Sequence, residues 1–169
     1  TTYYMLQSST LVLERAPALA EAAGLVADIQ VRNKGTLGGS LAHADPAADL
    51  PAVVIALEAR IQTVGGGRSR SIAAHRFFVD MFSTALRERE LITEIRIPAL
   101  PARSGSSYQK FANKASHFAV VGVAASVTLD GEGICQKVGV GITGAGPKAV
   151  RARAGERYLQ GREPSEANI

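Results

Sequence analysis

Cysteine is almost absent from this sequence: Cys135 is the single one among 169 residues. An internal disulfide is therefore excluded, and so is any iron–sulfur cluster or cysteine-rich zinc site built from this chain alone. A lone cysteine of this kind reads as buried and inert. Nothing approaches the roughly 18 consecutive apolar residues that a membrane span needs, so the chain does not read as membrane-spanning. The opening TTYYMLQSS lacks the basic and apolar regions of a signal peptide, and the cytoplasm is the expected location. There is also no initiating methionine, and the chain stops at PSEANI, where the start of another helix is expected, so it reads as a piece of something longer.

Tryptophan is missing, and so is an even spread of charge. The formal charge is +4. Residues 1–100 carry ten Lys/Arg against ten Asp/Glu, whereas residues 101–169 carry nine against five, so the surplus is confined to the C-terminal part. Arg151, Arg153, Arg157 and Arg162 fall at helix-like spacing with no aromatic residues interleaved. That pattern favours a solvated helix face or contact with an acidic partner over nucleic acid.

What is present, at 46% hydrophobic and 20% charged residues, is enough for one ordinary core or for two small subdomains sharing an interface. Leu11 to Val26 has helical spacing, Asp49 to Ala59 gives a short helix beside Pro51, and LITEIRIP alternates as a strand. Past a break at PALPARSGSS, residues 98–107, the segments SYQKFANKAS, VGVAASVTLDGEG and CQKVGVGITGAG read as three strands, with a turn at Asp130–Gly131, and 148–160 reads as a helix. The class is α+β.

The segment KGTLGGSLAHADPAADLP, Lys34 to Pro51, places bare backbone directly before carboxylates. Glycines beside hydroxyl residues let a chain approach a polar group closely with its amides free, which points to a phosphate. Other readings compete. Gly139 to Gly144, GVGITG, fits a dinucleotide fingerprint, yet Gly146–Pro147 interrupts the turn into the next helix and valines between glycines suit a crowded strand. A phosphate-binding loop of the Gly-Lys-Ser/Thr type is absent. Ser40, His43 and Asp45 lie too close in sequence for a hydrolytic triad and lack its elbow. His43, Asp45 and Asp49 as metal ligands find no further His or Cys to close a shell. Asp45 and Asp49 can also be helix caps.

TLGGS followed by HADPAADLPAV resembles the second flavin-binding motif of the FAD-binding medium subunit of the molybdenum hydroxylases, the family of xanthine dehydrogenase and aerobic carbon monoxide dehydrogenase. QVRNKG, which contains Val31, is similar to that family's approach to the turn. ELITEIRIP, SYQKFANKASHFAVVGVAA and VGVGITGAGPKAVRA resemble its later segments in the same order, so the likeness covers essentially the whole chain.

The resemblance implies roles. Thr36, Leu37, Gly38, Gly39 and Ser40 would face the FAD pyrophosphate, His43 would lie near the flavin or its phosphates, and Asp49 would accept hydrogen bonds from ribityl or ribose hydroxyls. Leu91 and Ile92 match a segment packed against the isoalloxazine, and Lys110 matches a cation near the ring, its alternative being a solvated strand lysine. His117 stands where many relatives have an acidic or small residue. The family's earlier AGG-type turn has no counterpart before Lys34. The resemblance further implies residues 1–101 as the second subdomain of a PCMH-type FAD-binding domain, and 104–169 as a truncated C-terminal domain with a three-stranded antiparallel sheet and helices. It implies an electron-transferring oxidoreductase subunit without catalytic or metal-ligating residues of its own. Molybdopterin would sit on a large partner subunit and iron–sulfur (2Fe–2S) clusters on a small one, with NAD, a quinone or oxygen as acceptor. A flavin-free scaffold of the same complex is the alternative.

Overall fold

Pro17 shapes the beginning of the chain. The computed structural model describes residues Thr1–Ile169. In place of one helix over 11–26 there are two, divided at Ala16, which takes φ −152° and ψ 59°. A residue before proline is pushed out of the helical region, while proline fits the first position of the next helix. The helices are α1 (Tyr3–Ser8), α2 (Thr10–Arg15), α3 (Pro17–Gly24), α4 (Ile29–Lys34), α5 (Leu37–His43) and α6 (Asp49–Ala56). Several are capped by side chains: Thr2 accepts from the Met5 amide and Asp28 from the Val31 amide. The glycine-rich segment is thus the first turn of α5, not a loop.

β1 (Arg60–Gly65) and β2 (Arg68–Ala73) form a hairpin turning through Gly66 and Gly67, at φ 57° and 73°. A small pair, β3 (Phe78–Asp80) and β4 (Ser83–Thr84), follows, and β5 (Leu91–Arg96), the expected LITEIRIP strand, adds to the open edge of β1. The C-terminal part brings β6 (Ser104–Ala112), β7 (Ala119–Leu129) and β8 (Cys135–Thr143), antiparallel and in sequence order. A fourth strand, β9 (Val150–Arg151), replaces the start of the helix expected over 148–160, which shortens to α7 (Arg153–Leu159). The Asp130 carboxylate holds the turn between β7 and β8 by accepting from the amides of Glu132 and Ile134.

All eight residues of α6 are buried. The helix lies on β7 and β8, and the glycines of GVGITG make that possible: a Cβ on Gly139 would stand 2.2 Å from the Ala56 carbonyl oxygen, and one on Gly141 2.0 Å from that of Ala52. The motif is a track for a helix within an antiparallel sheet. With β8 antiparallel to both neighbours there is no βαβ crossover to seat a dinucleotide. One apolar cluster joins Leu19, Val53, Ile55 and Phe77 to Tyr108, Ala124 and Ala149, so the interior is continuous across residues 101–104.

Arg151 departs from the expected basic face. It lies on β9, and its guanidinium donates to Glu156 at 2.7 and 2.8 Å and to Glu58 at 2.9 Å. The other three arginines of that set are exposed, Arg153 and Arg157 on α7 and Arg162 just beyond it.

Candidate functional site

The N-terminal residues run alongside the glycine-rich turn. Thr2 bridges Thr36, the Tyr3 amide donates to the Gly35 carbonyl at 3.0 Å, and the Leu37 amide donates to the Thr1 carbonyl at 3.1 Å. Gly35 is required by closeness, since a Cβ there would lie 2.4 Å from the Tyr3 ring. Thr36 is the N-cap of α5, accepting from the Gly39 amide at 3.0 Å. Of the first-turn amides, that of Gly38 is left without a protein partner. A Cβ on Gly38 would meet nothing nearer than Ile95 Cδ1 at 4.0 Å, whereas one on Gly39 would press on Thr36 Oγ1 at 2.9 Å. Gly38 is therefore the open face of the turn, and Gly39 is committed to the cap.

The two ends of α5 face different hollows. Beside its later residues lies a cavity of about 290 Å³ walled by Ala27 and Val31, by Ser40 and His43, by Asp49 at the start of α6, and by His117 and Phe118 from the segment after β6. Tyr3 also reaches it. Beside the first turn is a separate, more open cleft of about 500 Å³, lined by Thr36, Leu37, Gly38 and Ile92 among others. Leu91 lines neither and is 71% exposed. Three of the seven non-glycine residues at positive φ lie at or beside the cavity: Ala27 and His117 on its wall, and Ala44 just after His43, hold φ of 40°, 58° and 52°. His43 also rests against Phe82 with ring centroids 5.1 Å apart.

Asp49 does not cap α6. Its side chain makes no cap hydrogen bond, and one oxygen accepts from the Tyr108 hydroxyl at 2.5 Å while the other accepts from Lys110 Nζ at 2.8 Å. Asp45 likewise turns to the Ala47 amide, at 2.8 Å. Lys110 is no solvated lysine: its side chain is 3% exposed, it also donates to the Leu25 carbonyl, and it stands behind Asp49 rather than on the cavity wall. Burial pushes the Asp49 carboxyl above the ordinary carboxylate range, with the bonds from Lys110 and Tyr108 pulling the other way. Burial next to Asp49 likewise pushes the Tyr108 phenol well above its ordinary value.

Of the residues expected at the site, Val31, Ser40, His43 and Asp49 meet in the cavity, with Lys110 bound to Asp49 from behind; Thr36, Leu37, Gly38 and Ile92 meet in the cleft. Tyr3, Tyr108 and Phe118 were not anticipated. Tyr108 had one available signal: it lies two residues before Lys110 on a strand, hence on the same face. No group of three or more His, Cys, Asp or Glu is placed to hold a metal ion, and no helix is long and apolar enough to cross a membrane.

Residues 1–100 match the FAD binding domain in molybdopterin dehydrogenase, and residues 106–169 match the CO dehydrogenase flavoprotein C-terminal domain. The chain belongs to this flavoprotein family. It is 39% identical over 155 residues to the carbon monoxide dehydrogenase medium chain of Hydrogenophaga pseudoflava, which covers 92% of the chain and 54% of that relative. It is 37% identical over 159 residues to the 6-hydroxypseudooxynicotine dehydrogenase complex subunit alpha of Paenarthrobacter nicotinovorans, covering 94% and 54%. Among solved structures, carbon monoxide dehydrogenase from Hydrogenophaga pseudoflava superposes with a TM-score of 0.94 at 39% identity, over 100% of this chain and 58% of that one. Quinoline 2-oxidoreductase from Pseudomonas putida 86 follows the same fold, with a TM-score of 0.87 at 28% identity over 99% and 58%. The chain spans about half the length of the curated relatives it matches. The mixed architecture of antiparallel sheets and helices is that of this family's flavoproteins, with β9 as the addition to the three strands expected in the C-terminal part.

Proposed function

We propose that the chain holds FAD as part of an electron-transferring medium subunit of a molybdenum hydroxylase. Electrons would arrive from iron–sulfur clusters on a small partner subunit, after substrate oxidation at molybdopterin on a large one, and leave to an external acceptor. The observation that carries the reading is Asp49 at the wall of the cavity: each carboxylate oxygen has one protein donor and keeps a lone pair for a ligand hydroxyl.

The remaining residues fit the group. The unpartnered Gly38 amide offers a donor to a phosphate oxygen with no side chain in the way. The Thr36 and Ser40 hydroxyls add donors without adding charge. Val31 offers apolar surface on the cavity side of α5 and Ile92 on the cleft side, while the exposed Leu91 lies outside both; His43 bounds the cavity at the far end of α5, and Lys110 fixes Asp49. Residues 1–101 would form the flavin-binding unit and 104–169 the C-terminal unit that closes the cavity with His117 and Phe118. When bound, FAD supplies the redox chemistry; the protein binds it, orients it and sets the charges around it.

The test is electron transfer with and without flavin. Flavin released from the purified complex should be FAD by mass, and stripping it should stop transfer from the chemically reduced iron–sulfur partner to a dye acceptor until FAD is added back. A purified complex without FAD, or transfer indifferent to its removal, would overturn the reading and favour a flavin-free scaffold.

A further inference from the structure

We propose that Tyr108 is a positioning residue for FAD: its buried hydroxyl sets the orientation and the ionised state of the Asp49 carboxylate, which in turn receives the cofactor's hydroxyl groups. The proposal rests on the FAD reading above and adds to it a residue that does not itself line the cavity.

The arrangement is built from several sides. Tyr108 is 2% exposed, and its hydroxyl lies 2.5 Å from Asp49 Oδ1. The neighbouring strand makes room for that hydroxyl: a Cβ on Gly122 of β7 would stand 2.1 Å from it. At its backbone, Tyr108 is pinned by the Glu21 carboxylate of α3, which accepts from the Tyr108 amide at 2.7 Å and from the Ser107 hydroxyl at 2.9 Å. The other oxygen of Asp49 is taken by Lys110 at 2.8 Å. Two donors on two oxygens fix the carboxylate plane. With Tyr108 removed, Lys110 alone holds the group at one point, and rotation about Cβ–Cγ is freed.

Charge acts in the same direction. Burial favours the protonated form of Asp49, and the bonds from Lys110 and Tyr108 oppose it. The other titratable groups on this side are Tyr3, His43, Asp45 and His117 around the cavity, and Glu21 behind Tyr108. The titratable groups that β8, β9 and the 3-10 turn Ala74–Arg76 bring against α6, namely Lys137, Arg151 and His75 with Arg76 beside it, gather at its opposite end around Glu58. Loss of the Tyr108 hydroxyl therefore raises the pH at which Asp49 takes up a proton, and a protonated carboxyl is a poor acceptor for a ligand hydroxyl.

The experiment is titration of the flavin-stripped protein with FAD, followed by flavin fluorescence across pH, in wild type, Tyr108→Phe, Asp49→Asn and the double variant. Tyr108→Phe should weaken FAD about tenfold at neutral pH and move the acid-side decline in affinity to higher pH. Asp49→Asn should weaken FAD and abolish that decline, and adding Tyr108→Phe to it should cost nothing further. If Tyr108→Phe does not fold, replacing Tyr108 alone with 3-fluorotyrosine keeps the volume and strengthens the donor, and should move the decline to lower pH. An unmoved pH profile in either Tyr108 variant, or an equal loss from Tyr108→Phe on the Asp49→Asn background, would overturn the proposal and leave Tyr108 a packing residue. Wild-type protein that binds no FAD at any pH would sink the FAD reading itself, and the proposal with it.

Discussion

Glu90 shows how much a single buried carboxylate organises in this chain. Its side chain, 4% exposed, accepts from Arg70 Nε and Nη2, from the Thr63 hydroxyl at 2.6 Å and from the Arg87 amide at 2.8 Å. These donors, Arg70 first, hold its carboxyl down at about 2 against an ordinary 4.5. A carboxylate held low in the folded state binds protons more readily once unfolded, so the stability it contributes is complete above about pH 4.5 and is lost as pH falls toward 2. Glu90→Gln should therefore lower stability at neutral pH and flatten its decline in that window, read by urea unfolding at a series of pH values. An unchanged acid limb would show that the network does not govern acid stability. Asp49 has the opposite sign: its raised carboxyl works against folding as pH rises through its ordinary range, and Lys110 and Tyr108 offset that cost. None of these pairings was legible in the sequence, because Thr63–Glu90 and Asp49–Lys110 join residues 27 and 61 positions apart.

Elements were legible in proportion to their length and regularity. The strands around 91–98, 107–116, 121–133 and 135–146 could be read because alternation over six or more residues is a strong signal, and α6 because an apolar run beside Pro51 has one helical solution. The short helices α1, α4 and α5 could not be read by periodicity, and α5 was hidden by its two glycines, which are poor helix formers held in place by the Thr36 cap. The GVGITG strand is the instructive case, since its glycines are set by the approach of α6 rather than by a ligand. Gly141→Ala should destabilise the protein by about 1–3 kcal/mol, because the new methyl meets a backbone carbonyl that cannot swing aside. Thermal unfolding checks this, and a variant as stable as wild type would mean that α6 and β8 slide apart freely.

Across the whole molecule, the candidate site residues are drawn from six separate elements, α1, α4, α5, α6, β5 and β6, onto one cavity and one cleft with α5 between them. Sequence likeness supplied the residues from α4, α5, α6 and β5 and Lys110 from β6, but not the buried Tyr108, nor Tyr3 and Phe118, which reach the cavity through the bridge from Thr2 to Thr36 and the return of the chain after β6. It also did not separate the cavity residues from those of the cleft. On the proposed function, FAD is held in the cavity. Val31 allows the most direct test, since it lines the cavity from α4, is 42% exposed and lies outside the core cluster. Val31→Trp should fill the cavity without disturbing the interior, so the decisive measurement is FAD content per polypeptide in the purified variant. Protein with wild-type thermal stability and almost no flavin is expected; stoichiometric FAD in a correctly folded Val31→Trp protein would show that the flavin is held elsewhere.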